Sequence, residues 1–322
     1  VAAKLETGMP SRLDCFAISL VIEGNVADQS AATRMLDRRN YSVRRLTELK
    51  ERLESQPVIA TQKNLCIYVS GSYGRLEASE SSDLDLFFID NDVSGKNRLN
   101  RLDEIEAKAC VIRAARDLTF PEFTNEGEYL TTHSLKHMGE QLGNPADDHE
   151  NLFTARLLLL LESRPICGYE CYKSVLEHVI AMYYRDFHDH EKSFLPIFLL
   201  NDILRYWKTL CLNYEARRNR VADSEIDKSK HHLRNVKLKY SRLLTCFSMV
   251  IPLIARPQTT QQDVVQLVGT PPFDRLRGVT TSETGVALLD EMMEDYGWFL
   301  DEVKRDEILE LLTDKDYRNA AF

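Results

Sequence analysis

The stretch that decides the fold is residues 65–90, which read LCIYVSGSYGRLEASESSDLDLFFID. An apolar run at residues 65–69 predicts a buried strand that ends at a Gly-Ser pair. A second apolar run, at residues 86–89, follows Asp83 and Asp85 and predicts another buried strand. Because residues i and i+2 of a strand point to the same face, we expect the two carboxylates to converge on one point.

Two convergent carboxylates in this setting indicate a cation site. Mg²⁺ prefers oxygen ligands and is commonly shared between carboxylates and substrate phosphates. The Gly71-Ser72 pair offers backbone N–H groups and a hydroxyl to a polyphosphate. Together these features predict a metal-dependent nucleotidyl-transfer site.

The alternative is an exposed turn followed by an edge strand that carries solvated aspartates. Like charges at i and i+2 of a strand repel each other, and Asp has a poor strand propensity. Without a cation, nothing in the sequence explains why Asp83 and Asp85 stand there. A third interpretation, a degenerate version of the same site without catalysis, stays open.

The motif resembles that of the DNA polymerase β-like nucleotidyltransferase superfamily, in which an apolar strand ends in Gly-Ser or Gly-Gly and Asp-x-Asp follows after a spacer. It is most similar to the catalytic domains of PII-protein uridylyltransferase and glutamine synthetase adenylyltransferase, whose motif is G-[GS]-Y-G-R-G-E and then S-D-[IL]-D-L. The chain departs at Leu76, where those enzymes have Gly, so we expect a less permissive turn. The resemblance covers about a third of the chain, and the matching residues are Gly71, Ser72, Tyr73, Gly74, Arg75, Glu77, Ser82, Asp83, Asp85 and Leu86.

The resemblance implies catalysis by three carboxylates and two Mg²⁺ or Mn²⁺ ions, with a nucleoside triphosphate as substrate. Asp83 and Asp85 would bridge both ions. The third carboxylate would come from the neighbouring strand, where Glu122, Glu126 and Glu128 are the candidates. We expect Glu128, since it begins the segment that continues into the third strand.

The resemblance also implies residues that bind the triphosphate. Gly71 and Ser72 would cradle the β- and γ-phosphates. Arg75 would contact phosphate or would pair with Glu77 to brace the turn. In many relatives a lysine on the helical domain touches the triphosphate, and the candidates here lie in residues 205–208 and 237–241. From these we select Arg205, Lys208 and Lys239.

Periodicity predicts the remaining organisation. Helices are expected near 29–55 and 99–117, with a third strand inside 118–134. After residue 147 the pattern is almost wholly helical, and Arg164-Pro165 is expected in a loop. We therefore predict an α+β fold, in which a small mixed-sheet, palm-like catalytic domain with an N-terminal helical segment (1–145) precedes a helical domain (146–322) that completes the nucleotide and acceptor cleft.

Composition limits the class of protein. The chain has 322 residues, with 43% hydrophobic and 28% charged residues, as in ordinary soluble proteins. Its seven cysteines are irregularly spaced, which favours free thiols over a disulfide framework. The chain starts without a signal-like segment, and its longest apolar runs are too short to span a bilayer. We therefore expect a cytoplasmic protein that does not bind or span a membrane.

The charge is unevenly distributed. The net charge is −9, yet residues 201–242 carry eleven Lys and Arg against five acids, and residues 283–322 carry twelve acids against four bases. A basic segment in an acidic chain favours a local anion site over an extended nucleic-acid surface. Long nucleic acid is therefore a less expected partner than a nucleoside triphosphate.

Two classes of function follow. The first is an enzyme that moves a nucleoside monophosphate from a triphosphate to a hydroxyl of a protein or a small molecule, with release of pyrophosphate. The second is a regulatory or antitoxin-type partner of a toxin, which would bind a nucleotide without efficient turnover. The intact Asp83 and Asp85 favour the enzyme. The sequence identifies neither the acceptor, nor the base of the triphosphate, nor the oligomeric state.

Overall fold

A computed structural model describes residues 30–93, 99–123, 127, 130–189, 191–219, 224–256 and 258–321 of the chain. In this part the protein is a mixed α+β structure, mostly helical, with a small mixed sheet of four strands. The predicted combination of a small mixed sheet with a large helical part is thus confirmed at this level.

The sheet has the strand order β3-β2-β1-β4. Strand β1 (Leu65–Ser70) pairs with β2 (Asp85–Asp90) in antiparallel orientation, and Ser70 lies opposite Asp85. Strand β3 (Thr132–Ser134) runs parallel to β2, whereas β4 (Arg164–Cys167) runs antiparallel to β1. The antiparallel pairing brings the last residue of β1 and the first residue of β2 to the same end of the two central strands.

The helices surround this sheet. Ser30 and Asn100 cap two of the long ones through side-chain oxygens that accept backbone N–H bonds. In chain order the helices are α1 (Ala31–Glu54), α2 (Pro57–Ala60), α3 (Gly71–Arg75), α4 (Arg101–Asp117), α5 (Leu135–Glu140), α6 (Pro145–His149), α7 (Leu152–Glu162), α8 (Tyr169–Met182), α9 (Ile197–Arg218), α10 (Glu225–Lys237), α11 (Leu243–Ala255), α12 (Gln261–Gly269), α13 (Pro272–Arg277), α14 (Glu283–Glu302), α15 (Ile308–Leu311) and α16 (Lys315–Ala321).

The sheet separates two hydrophobic cores, because alternate side chains of a strand point to opposite faces. Leu86 and Phe88 of β2 belong to the core under α1 and α4. Phe87 and Ile89 face the other core, which is built with α7, α8, α9, α11 and α12. Asp85 has the same parity as Phe87 and Ile89, so β2 directs it towards the helical layer.

A π-helical turn, Leu238–Arg242, joins α10 to α11 without a break. The combined helix Glu225–Ala255 is, by length and composition alone, apolar enough to cross a membrane. Half of its most apolar window is buried inside the protein, as in the core helix of a folded domain.

Local structure differs from the sequence prediction at three places. Residues 164–167 form β4 instead of a loop, because Pro165 lies on an edge strand, where a missing N–H is tolerated. The Gly-Ser turn is a short helix, α3, and β2 begins at Asp85, so Asp83 precedes the strand. The sheet therefore takes one strand from beyond residue 146, the expected start of the helical domain.

The cysteines in the described part of the chain are free. Cys167 and Cys171 are buried, and Cys171 donates a hydrogen bond from Sγ to the carbonyl oxygen of Asn64. Burial raises the pKa of Cys167 to about 12 and that of Cys171 to about 11. Both thiols therefore stay protonated and pack as apolar groups.

Candidate active site

Asp83 and Asp85 lie at the end of the sheet where the central strand β1 ends and its neighbour β2 begins. Asp85 is the first residue of β2, and Asp83 stands in the extended segment before it. Crowding by the surrounding protein, with the negative charge of Asp83, raises the pKa of Asp85 to about 6. A raised pKa in a carboxylate pair means that the site favours an additional positive charge.

Gly71 packs directly against this pair. It has a φ of +66°, and a Cβ built on it would come 2.5 Å from Oδ2 of Asp85. Only glycine combines this left-handed backbone with such a close approach. Gly74, three residues later, meets the carbonyl oxygen of Glu162, which a Cβ would approach to 1.8 Å. The two glycines therefore hold α3 against Asp85 on one side and against the end of α7 on the other.

Arg75 braces the segment between β1 and β2. Its Nε donates to Oε2 of Glu77 at 2.7 Å, and its Nη1 donates to Glu162. All three side chains are buried. Tyr296 of α14 completes the brace by donating to Oε2 of Glu77 at 2.8 Å. Of the two roles expected for Arg75, the structure contains the pairing with Glu77.

Glu162 links this brace to the helical wall of the cleft. It accepts from Arg75 and, through Oε1, from Nη1 of Arg242 at 2.7 Å. Thr245 donates to its other oxygen. Burial would raise the pKa of Glu162, but the charges of Arg75 and Arg242 outweigh it and lower the pKa. The carboxylate thus stays ionised between two arginines.

The π turn places two cations of the helical wall at the aspartates. In a regular α-helix, residues five apart differ by about 140° around the axis, so Lys237 and Arg242 would face different ways. The wider π turn, with its i→i+5 hydrogen bonds, brings both to the cleft, and Ser241 lies beside them. Within the described part of the chain, Lys237 forms no ion pair or hydrogen bond. Crowding lowers its pKa, although the charge of Asp83 opposes this change.

These groups enclose a polar pocket of about 190 Å³. Lys304, after the end of α14, adds a further cation, and its ammonium also forms no ion pair in the described part of the chain. Serine hydroxyls supply further donors to the same space. The polar lining comprises Arg38, Gly71, Ser72, Arg75, Glu77, Ser79, Ser81, Ser82, Asp83, Asp85, Lys237, Ser241, Arg242 and Lys304. This lining suits a strongly anionic ligand next to a carboxylate pair.

The other residues expected to bind the triphosphate lie elsewhere. Arg205 pairs with Asp148 and Asp202, and its guanidinium lies 3.9 Å from the ring centre of Phe153. Neither it nor the exposed Lys208 or Lys239 lines the pocket at the aspartates. The segment 237–241 does reach the pocket, but through Lys237 and Ser241.

The described residues do not place the expected third carboxylate beside Asp83 and Asp85. Glu122 lies on the surface and pairs with Arg116. Glu126 and Glu128 fall outside the described residues. Among the residues that the structure does describe, no group of three or more His, Cys, Asp and Glu side chains is arranged to hold a metal ion. The described donors for a cation are therefore the pair Asp83 and Asp85.

Sequence reasoning missed Glu162, Arg242 and Lys304. Glu162 closes an apolar helix and looks like an ordinary helix-end acid. Arg242 is five residues from Lys237, a spacing that a normal α-helix would not bring to one face. The π turn has no recognised sequence signal, so this wall became visible only in the structure.

Comparison with family models, with curated proteins and with solved structures finds no match to this chain.

Proposed function

We propose that this protein is a metal-dependent nucleotidyltransferase, which moves a nucleoside monophosphate from a triphosphate to a hydroxyl and releases pyrophosphate. The observation that carries the proposal is the contact of Gly71 with Asp85. It sets the Gly-Ser segment against a carboxylate pair, in the sequence order that the polymerase β-like motif requires. A palm-like fold is part of the proposal, supported by the motif between the antiparallel strands β1 and β2 and by the parallel β3.

The residues present fit a hard divalent cation. Two carboxylates stand close enough for the charge of Asp83 to raise the pKa of Asp85. Asp83 and Asp85 would hold Mg²⁺ or Mn²⁺, and Glu128 stays the expected third ligand. When bound, the cation would neutralise charge on the phosphate oxygens as they react.

The protein itself would bind the triphosphate through the polar pocket. Lys237 and Lys304 have no acidic partner in the described part of the chain, so both are available to phosphate oxygens. Arg242, held by Glu162, would donate to phosphate oxygens at the point where the polar pocket meets Asp85. Ser72 would donate its hydroxyl beside Gly71.

The reaction balances without a further reactant. The acceptor oxygen forms a bond to the α-phosphorus, and the bond from the α-phosphorus to the bridging oxygen breaks. Pyrophosphate leaves through the polar pocket, and the hydroxyl proton is released to solvent. Preorganised cations lower the cost of the charge that develops on the leaving group.

The test is Mg²⁺-dependent release of pyrophosphate from each of the four nucleoside triphosphates. We expect the wild type to release pyrophosphate and Asp83→Asn/Asp85→Asn to lose this activity. Asp314→Asn/Asp316→Asn is the matched control, since it alters an exposed Asp-x-Asp far along the chain. Equal release by the wild type and Asp83→Asn/Asp85→Asn would refute the proposal.

A second experiment identifies the acceptor class. Transfer of label from each α-³²P triphosphate into a cell lysate separates labelled protein from labelled small molecules. It also reports which base is preferred. Binding of a triphosphate without release of pyrophosphate or transfer of label would instead favour the regulatory, antitoxin-type function.

A further inference from the structure

A second cavity adjoins Asp85 and is separate from the polar pocket. Its volume is about 330 Å³, near the lower end of the range for small-molecule sites. It lies between β2, α7 and α9. Asp85 and Arg242 line both cavities, so the two spaces meet at these residues.

The wall of this second cavity is mainly apolar and aromatic. Phe87, Leu158, Tyr206 and Leu210 contribute to it, together with Phe123. The Phe87 ring is held in place because Tyr68 stacks on it, with ring centres 5.3 Å apart. A rigid aromatic wall suits a flat apolar ligand.

Hydroxyl side chains also line the cavity. Tyr206 is only 4% exposed, yet its hydroxyl forms no hydrogen bond within the described part of the chain. This hydroxyl is therefore available to donate to a ligand oxygen in the cavity. Burial raises the pKa of Tyr206, so this hydroxyl stays a donor. Thr154 adds a second hydroxyl that is likewise unpaired in the described chain.

Arg217 supplies a charge at the mouth of the cavity. It is exposed, and it forms no ion pair in the part of the chain that the structure describes. Its neighbour Arg218, by contrast, pairs with Glu215 and does not line the cavity. The cavity lining thus combines the carboxylates of Asp85 and Glu162 and the guanidinium of Arg242 with Arg217, for which the described part of the chain shows no ion pair.

We propose that this cavity binds the acceptor of the transfer, a small molecule with an aromatic or apolar body, a hydroxyl at the Asp85 end and an anionic group at Arg217. The inference rests on the proposed function. An in-line displacement needs the acceptor and the leaving group on either side of the α-phosphorus, and the two cavities meet at Asp85 and Arg242, where that atom would lie. The acceptor hydroxyl would bond to the α-phosphorus there, its proton passing to solvent as pyrophosphate departs.

The first experiment measures binding of a probe without metal or nucleotide. The probe is 4-hydroxyphenylacetate, and 4-ethylphenol is its neutral counterpart, both followed by ligand-observed NMR. We expect the wild type to bind the acid with a Kd on the order of 1 mM, as for other fragments. Absence of binding would overturn the inference.

Two variants and one control locate the probe. Arg217→Gln should weaken binding of the acid about tenfold and leave the neutral phenol unchanged, since one charge-assisted contact is lost. Leu210→Trp should abolish binding of both, because the larger side chain fills the cavity. Arg218→Gln is the matched control and should change neither. An equal effect of Arg217→Gln and Arg218→Gln would refute the site.

Competition with nucleotide separates the acceptor from the base of the triphosphate. Saturating ATP with Mg²⁺ should leave binding of the acid within about twofold, because the two ligands would occupy separate cavities. Competitive displacement would show that the cavity takes the nucleobase and would overturn the inference. Pyrophosphate release is scored separately, so failure of the transfer and failure of this ligand site give different results.

Discussion

Gly71 and Asp85 are packed so closely that no side chain fits between them. A Cβ on Gly71 would stand 2.5 Å from Oδ2 of Asp85, and the φ of +66° is one that residues with a Cβ rarely adopt. This contact ties the short helix after β1 to the first residue of β2. It makes the position of the carboxylate depend on a residue fourteen places earlier in the chain.

The contact predicts the effect of Gly71→Ala. The left-handed backbone costs about 1–2 kcal/mol for a residue with a Cβ, and the overlap with Asp85 adds to this and displaces the carboxylate. We expect lower stability in urea denaturation and at least a tenfold loss of Mg²⁺-dependent pyrophosphate release. Gly143→Ala is the matched control, because Gly143 has a φ of +81° with nothing within 4 Å of the added Cβ. If both variants keep activity, the contact does not position Asp85.

Two left-handed residues with side chains predict stabilising changes to glycine. Thr119 has a φ of 57° and is exposed after α4, where Phe120 donates to the carbonyl of Ala115 in a helix-ending turn. Thr119→Gly should raise the free energy of unfolding by about 1 kcal/mol. Leu76 has a φ of 61°, a left-handed conformation that Gly adopts without steric cost. Leu76→Gly should gain less, because its half-buried side chain also loses packing. A loss of stability in Thr119→Gly would contradict this account.

The lowered pKa of Glu162 predicts a pH-dependent contribution to stability. An acid whose pKa falls on folding stabilises the protein above its unfolded pKa, and this contribution disappears as pH falls through the folded pKa. Removing the charge leaves Arg75 buried beside one acid fewer, at a cost of about 3 kcal/mol. Glu162→Gln should therefore be much less stable than the wild type at pH 7, with the difference shrinking below about pH 4. Urea denaturation at both pH values measures this, and exposed Glu170→Gln should match the wild type throughout.

The wall of the cleft predicts different effects for two lysines two residues apart. Lys237 lines the pocket at the aspartates and forms no ion pair within the described residues, whereas Lys239 does not line the pocket. Lys237→Met should weaken binding of ATP about tenfold, as expected for one lost contact to phosphate. Lys239→Met should leave it unchanged. The reverse order of effects, measured by calorimetry with Mg²⁺, would assign the role to Lys239.

The raised pKa of Asp85 predicts that the pair of carboxylates lowers the stability of the fold when no metal is bound. An acid whose pKa rises on folding binds its proton more tightly in the folded state, so the wild type gains stability as pH falls through about 6. Without metal, Asp85→Asn should therefore melt slightly higher than the wild type at pH 8, since Asp85 is exposed and solvent screens much of the effect, and the gap should close near pH 4. Added Mg²⁺ should raise the melting temperature of the wild type but not that of Asp85→Asn. The control Asp316→Asn should follow the wild type; a pH-independent gap would contradict the coupling.

The local pattern of apolar residues was sufficient to predict the helices and strands whose buried residues recur at regular spacing. The helix over Ala31–Glu54 and strands β1 and β2 follow from apolar periodicity, since each buries one face or both against neighbours. Strand β4 did not, because Pro165 reads as a loop signal and only pairing with β1 makes the segment extended. The same limit applies to Arg205, whose acidic partners come from both its own helix and α6.

By itself, the sequence determined the candidate chemistry. A Gly-Ser pair and two aspartates two residues apart lie between two apolar strands, and this pattern is visible in one short segment of the chain. The tertiary structure decided what surrounds them. Glu162 joins Arg75 to Arg242, and a π turn brings Lys237 to the carboxylates, over sequence separations of more than 70 residues. Such contacts depend on how helices pack against the sheet, and no local pattern encodes them, because each residue alone is an ordinary charged residue of a helix.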